Sequence, residues 1–191
     1  MAGGRDAVAD DAELESYLGR GLKLEERGSY EEALVLYEEA QRQFPDDPRP
    51  VHKRGVILVR MGRRDDAREA FLDALKLNRG YAPSLTNLGN MELEQGRVQE
   101  AVVYYKQAIA AQPDYPGAHH NLGVAYRRLG RLGEAVGEAR LAARHERQQA
   151  REEDRLRLRA QGGCAGRSAA LLALTAGAAT LLPLWVLHVH L

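Results

Sequence analysis

Small, aromatic and polar positions recur along this chain with a period of 34 residues. Tyr37, Phe71 and Tyr105 share one position of the repeating unit, so a large ring returns in each of three successive copies. Two glycine positions and two alanine positions keep the same register through four copies. These columns are Gly21, Gly55, Gly89 and Gly123; Gly28, Gly62, Gly96 and Gly130; Ala33, Ala67, Ala101 and Ala135; and Ala40, Ala74, Ala108 and Ala142. A period of this length indicates stacked supersecondary units.

Each unit is predicted to be a pair of helices. In the third unit the first helix covers residues 84–95, Gly96 and Arg97 form the turn, and the second helix covers residues 98–111. The Gly96 column follows the first helix, where a left-handed residue closes the last carbonyls. The Gly89 column lies inside that helix at a cost of about 1 kcal/mol relative to alanine. We therefore expect the second helix to pack closely there through its Ala101 column, with the aromatic column filling the gap to the next unit.

One helix pair cannot bury both of its apolar faces, so the units must stack into an all-α solenoid. The columns and their spacing resemble the tetratricopeptide repeat, and the resemblance implies four repeats, at residues 14–47, 48–81, 82–115 and 116–149. The fourth copy departs from the pattern, with Ala139 in the aromatic column and Arg147 in place of the closing proline. Its second helix is therefore expected to continue as one long helix. Residues 1–13, which are small and acidic, are predicted to be a disordered leader.

The C-terminal part of the chain changes character twice. Residues 150–161 predict a charged helical extension, and residues 162–167 predict a flexible hinge. Residues 168–191 contain no Asp, Glu, Lys or Arg and are long enough to cross a bilayer. We expect a C-terminal membrane anchor with the repeats facing the cytosol, since the flanking segment is rich in arginine. The alternative is a soluble interaction module whose apolar tail docks into its own groove or a sister's groove, which would give a homo-oligomer.

Charge and motif content favour a binding protein over an enzyme. The net charge is zero, but residues 1–47 hold 13 acidic and 5 basic residues, which leaves a net charge of +8 on the remainder. The single cysteine, Cys164, excludes an internal disulfide. No phosphate loop, zinc spacing or nucleophile elbow is present, so neither catalysis nor a cofactor is expected. His119 and His120 are adjacent and point about 100° apart on a helix, which argues against a metal site, and arginines interleaved with acids argue against nucleic acid.

The resemblance implies that the first helices line a concave groove that holds a protein or peptide partner. Its groove positions correspond here to Lys53, Asn87, Asn90 and Asn121. Asn87 and Asn121 resemble the asparagine ladder of the superhelical domain of O-linked N-acetylglucosamine transferase, in which an amide can clamp a peptide backbone. The alternative is that Asn-Leu-Gly is common repeat filler.

A two-carboxylate clamp for chaperone C-termini fits the sequence less well. Asn90 and Asn121 match that pattern in part, but Thr86 stands where the family has lysine. Along the groove, Glu25 and Glu26 give way to basic residues at the other end. We therefore expect an acidic peptide end to be held near Arg127 and Arg128.

Overall fold

A computed structural model describes the backbone of residues 3–176 and the side chains of residues 9–159. Within that part of the chain the secondary structure is entirely helical. The helices are α1 (Gly3–Arg27), α2 (Tyr30–Gln43), α3 (Pro48–Arg60), α4 (Arg64–Leu77), α5 (Ala82–Glu94), α6 (Val98–Ala111), α7 (Pro116–Arg128) and α8 (Leu132–Ala176). Each odd-numbered helix packs against the even-numbered helix that follows it, and successive pairs pack against one another. The predicted all-α arrangement of stacked helix pairs is confirmed.

The turn between the two helices of each pair is closed by glycine. Gly28, Gly62, Gly96 and Gly130 have φ values of 77°, 77°, 78° and 75°. The residue after each glycine donates its amide to a carbonyl five positions back, as Arg97 N does to Glu92 O at 2.9 Å. This bond satisfies a carbonyl that the helix end leaves open. The prediction of a left-handed cap at this column is confirmed.

The aromatic column joins each pair internally and to its neighbour. A Cβ atom on Gly55 would lie 2.6 Å from the Phe71 ring, so the glycine makes room for that ring within its own pair. Phe71 is fully buried and also packs in one cluster with Leu88 and Met91 of the following α5. The expected filling of the gap between units is therefore confirmed. The structure adds that the ring, and not only the alanine column, occupies the space above the glycine.

The fourth pair differs because Ala139 replaces the ring. Gly123 faces the backbone directly, and a Cβ there would lie 3.2 Å from the carbonyl oxygen of Ala135. α8 then continues to Ala176, a length of 45 residues, as the missing proline predicted. By contacts the chain divides into two units, Met1–His145 and Glu146–Leu191. In the second unit the side chains of residues 146–159 are exposed and carry ion pairs along the helix, such as Arg157–Glu153 at 3.8 Å.

Two segments expected to be irregular are helical in the structure. α1 begins at Gly3, inside the predicted leader 1–13, and α8 passes through the predicted hinge 162–167 without interruption. In α8 the neighbouring alanines and arginines are good helix formers, and the three glycines of residues 162–167 cost about 1 kcal/mol each without forcing a break.

The expected membrane location is wrong. In the part of the chain that the structure describes, no helix combines the length and the apolar character needed to cross a bilayer. Of the apolar segment, residues 168–176 lie in the described part of α8, and a span needs about 20 apolar residues. Residues 177–191, which hold the rest of the predicted anchor, lie outside the described residues.

Candidate functional site

The polar side chains of the first helices meet across neighbouring repeats. We call the surface that carries the six candidate residues the first-helix face. It comprises Lys53 of α3, Asn87 and Asn90 of α5, and Asn121, Arg127 and Arg128 of α7. These residues differ in their hydrogen bonds and neighbouring charges. On that basis the face has three parts: an amide pair, an acidic end and a basic end.

The amide pair consists of Asn90 and Asn121. Asn90 Oδ1 accepts hydrogen bonds from Asn121 Nδ2 and from the Tyr105 hydroxyl, both at 2.8 Å. Burial raises the pKa of Tyr105, so its hydroxyl stays protonated and serves as a donor. The Asn90 amide group and the Asn121 carbonyl oxygen keep hydrogen-bonding capacity, because an asparagine side chain offers two donors and an acceptor. Both residues are half-buried, so the pair lies at the surface in a fixed orientation.

Asn87 lies on the same helix as Asn90 but has a different setting. It is half-buried, and its amide has no hydrogen-bond partner among the side chains that the structure describes. The predicted ladder of Asn87 and Asn121 is therefore not a bonded pair: Asn121 bonds to Asn90 instead. Both amides remain at the surface of the first helices.

The acidic end of the face is a buried carboxylate. Glu25 accepts a hydrogen bond of 2.6 Å from the Tyr37 hydroxyl, and it lies 3.7 Å from Lys53 Nζ and 4.0 Å from Arg60 Nε. Burial and the bond to Glu25 both raise the pKa of Tyr37. Lys53 is thus engaged by a neighbouring repeat. The signal that sequence reasoning missed is the choice of tyrosine over phenylalanine at positions 37 and 105, since a buried hydroxyl needs a polar partner.

The basic end lies on α7. Arg128 Nη1 donates to the Leu93 carbonyl oxygen of α5 at 2.9 Å, so its side chain crosses to the preceding repeat. Arg127 is exposed and makes no ion pair with any residue in the described part of the chain. Of the two predicted arginines, Arg127 is the one whose side chain makes neither a hydrogen bond nor an ion pair within the described part of the chain, whereas Arg128 is held to Leu93.

Two buried charged clusters lie outside this face. Glu92 of α5 is 3% exposed; it bonds to Arg97 and lies 2.7 Å from Arg68 Nη2. The hydrogen bond from Arg97 holds the pKa of Glu92 below its ordinary value. Since these residues come from α4, α5 and the α5–α6 turn, the cluster joins two repeats. The residue types at equivalent repeat positions do not predict this cluster.

The second cluster surrounds His119. Its Nδ1 lies 2.7 Å from Glu138 Oε2, its Nε2 lies 2.9 Å from the Pro113 carbonyl oxygen, and its ring stacks on His145. His119 is buried, as expected of a residue in an apolar packing column. Among the described residues no group of three or more His, Cys, Asp or Glu side chains could hold a metal ion.

Helix pairs that stack in register and display polar side chains of their first helices define a helical-repeat protein with a binding face. Family models described as "Tetratricopeptide repeat" and "TPR repeat" match residues 24–88 and 89–130, more than half of the chain between them. The chain belongs to the tetratricopeptide repeat family, whose fold is a protein–protein interaction module.

Sequence relatives are much longer proteins. The chain is 34% identical over 124 residues to the probable UDP-N-acetylglucosamine–peptide N-acetylglucosaminyltransferase SPINDLY of Hordeum vulgare, a match that covers 61% of this chain and 13% of the relative. It is 38% identical over 72 residues to the protein O-mannosyl-transferase TMTC3 of Mus musculus, covering 38% of this chain and 8% of the relative. The matches thus cover a small part of these relatives' own length.

Solved structures share the fold. Pseudomonas aeruginosa pilF superimposes with a TM-score of 0.63 at 23% identity, over 73% of this chain and 64% of that chain. MamA gives a TM-score of 0.57 at 22% identity, over 77% and 86%. The first TPR of Spaghetti (RPAP3), bound to the HSP90 peptide SRMEEVD, gives 0.53 at 21% identity, over 61% and 93%.

Proposed function

We propose that the repeats are an interaction module that holds an extended peptide segment of a partner protein along the first-helix face. The amide pair carries this proposal. Asn90 and Asn121 are fixed to each other and to Tyr105, so their remaining donors and acceptor are oriented before a ligand arrives. A peptide backbone presents alternating donors and acceptors that such amides can bond without reading sequence. Pre-orientation lowers the entropy that binding costs.

The same reasoning gives the bound segment a direction. The acidic end of the face holds Glu25, whose charge is already met by Lys53 and Arg60. The basic end offers Arg127 without an ion pair among the described residues. An acidic peptide end would therefore lie near Arg127 and Arg128. The Spaghetti domain, which shares the fold, is bound to a peptide that ends in an acidic sequence.

A phage library of random 12-residue peptides, panned on the full chain, tests this function. Affinities of the enriched peptides are then measured by fluorescence polarisation. We expect the peptides to carry acidic residues towards one end. Asn87→Ala and Arg127→Ala should each weaken binding by about five- to tenfold, the value of one hydrogen bond or one exposed ion pair at an interface.

Matched control variants lie on second helices. Gln107→Ala removes an exposed amide from α6, and Lys76→Ala removes an exposed cation from α4. Neither should change the affinity. If the library yields no enriched peptide, or if Asn87→Ala and Arg127→Ala bind as tightly as the two controls, the first-helix face is not the site.

A further inference from the structure

The last helix pair leaves apolar side chains exposed at two positions that the third pair covers fully or in part. Val102 of α6 is 8% exposed and packs with Leu122 and Tyr126 of the following α7. One period later, Val136 of α8 is 50% exposed, and Leu132, the counterpart of the partly buried Val98, is 62% exposed. We call the surface formed by Val124, Arg127, Leu132, Val136 and Arg140 the end face.

At the opposite end of the stack, the exposed side chains of α1 are charged. Residues of α7 that face α6 include Leu122 and Ala125, both buried. Their counterparts on α1, three periods earlier, are Arg20 and Lys23, both exposed. Since repeat arrays need polar outer faces at their ends, the charged residues of α1 allow that end to face water. The end face exposes apolar side chains instead, which indicates that it receives an apolar surface.

Two junctions inside the molecule show what such a surface must contain. Arg64 and Arg68 of α4 are the counterparts of Leu132 and Val136 two periods earlier. At the α4–α5 junction these two contact positions pair with Glu94 and Glu92 of α5, the first helix of the following repeat. At the α6–α7 junction the same positions hold valines, and the incoming helix supplies apolar residues. The contact positions therefore match the chemistry of the helix they receive. With Leu132 and Val136 there, the end face matches an apolar helix stripe.

The border of the end face is positively charged. Lys106, the counterpart of Arg140 one period earlier, extends to 5.9 Å from the ring centroid of Tyr126 on the incoming α7. Arg140 would reach a helix on the end face in the same way. Arg127 and Arg140 make no ion pair with residues in the described part of the chain. Both guanidinium groups are thus available to carboxylates beside the apolar stripe.

We infer that the end face binds an amphipathic helix of a partner protein, with an apolar stripe flanked by acidic residues, in the place of a fifth repeat's first helix. A second copy of this chain fits poorly. Its α1 would present Arg20 and Lys23, and its α8 would present Arg140, against the arginines of the end face. Repulsion between these positive charges and the arginines of the end face disfavours both arrangements.

A synthetic 16-residue peptide tests the inference. It carries Leu, Ala and Tyr at the relative positions of Leu122, Ala125 and Tyr126, with glutamates beside them. A second peptide has lysines in place of the glutamates. Fluorescence anisotropy with the full chain should show binding of the glutamate peptide and at least about tenfold weaker binding of the lysine peptide.

Matched valine variants locate the contact. Val136→Ser should weaken binding of the glutamate peptide by about tenfold, since a buried valine contact is lost. Val103→Ser, at a valine of 54% exposure on α6, should leave it unchanged. Arg140→Glu should reverse the preference in favour of the lysine peptide. The groove variant Asn87→Ala should bind the glutamate peptide normally.

Four outcomes overturn the inference. Failure of the full chain to bind the glutamate peptide shows that the end face does not receive such a helix. Equal binding by Val136→Ser and Val103→Ser, or loss of binding in Asn87→Ala, places the peptide elsewhere. Sedimentation equilibrium that shows a dimer dispersed by Val136→Ser assigns the face to a second copy instead.

Discussion

Replacing Gly21 by alanine isolates the role of the mid-helix glycine column. An ideal Cβ at Gly21 would lie 2.3 Å from Cζ of Tyr37, which is fully buried. Tyr37 cannot swing away freely, since its hydroxyl donates to the buried carboxylate of Glu25 at 2.6 Å. The ring and the helix backbone must therefore separate, and overpacking of this kind costs about 1–3 kcal/mol.

Gly19→Ala is the matched control, because Gly19 lies one residue before Arg20 in the same helix and its added Cβ would meet no atom within 4 Å. Both variants gain the helix propensity of alanine, about 1 kcal/mol. That gain cancels in the comparison, so the difference between the two variants measures the steric cost alone. We expect Gly21→Ala to be about 1–3 kcal/mol less stable than Gly19→Ala.

Urea denaturation followed by circular dichroism at 222 nm gives the comparison. Thermal midpoints of the two variants should differ by about 3–10 °C in the same direction. Against a Tyr37→Leu background, Gly21→Ala should cost less than it does beside Tyr37, because the smaller side chain leaves room for the Cβ. If Gly21→Ala unfolds at the same urea concentration as Gly19→Ala, the ring does not need the glycine, and the account of this column fails.

Three further predictions concern buried polar groups, each read from urea midpoints. Burial lowers the pKa of His52 from 6.5 to about 3, so between those pH values the unfolded chain binds a proton that the folded chain does not. Stability should therefore fall as the pH is lowered below 6.5, by about 2 kcal/mol at pH 5, and His52→Leu should flatten this dependence. Glu92→Gln should cost about 1–3 kcal/mol by weakening the charge-assisted hydrogen bonds from Arg68 and Arg97, since both arginines are partly exposed and water can solvate their charges, whereas Glu94→Gln, at an exposed pair, should cost about 0–1 kcal/mol. Tyr105→Phe should cost about 1 kcal/mol by removing the hydroxyl bonded to Asn90.

Backbone geometry was predictable wherever one residue type is physically required. The Gly96 column needs a left-handed residue, and the Gly89 column needs the absence of a side chain, so both positions could be interpreted from one sequence. The continuation of α8 beyond the fourth pair followed from the missing proline at Arg147 in the same way. These inferences depend on local sterics, which the order of residues determines.

Polar contacts between repeats were not predictable at the same level. Asn90, Asn121 and Tyr105 come together because three side chains of particular length meet across two repeats. A column comparison shows residue type but not which neighbour a long side chain reaches. The same limit applies to Glu92, whose acidic side chain would ordinarily be assigned to a solvated face.

The junctions between repeats differ in chemistry although one helical frame repeats. Arg64 and Arg68 pair with acids on α5, whereas Val98 and Val102 meet the apolar residues of α7. Short loops already fix the order of the pairs, since α6 ends at Ala111 and α7 begins at Pro116. The contact positions therefore do not set the order of the stack; they match the chemistry of the helix that follows. Leu132 and Val136 on α8 repeat the valine junction and not the arginine junction, and for that reason we propose an apolar helix stripe as the ligand of the end face.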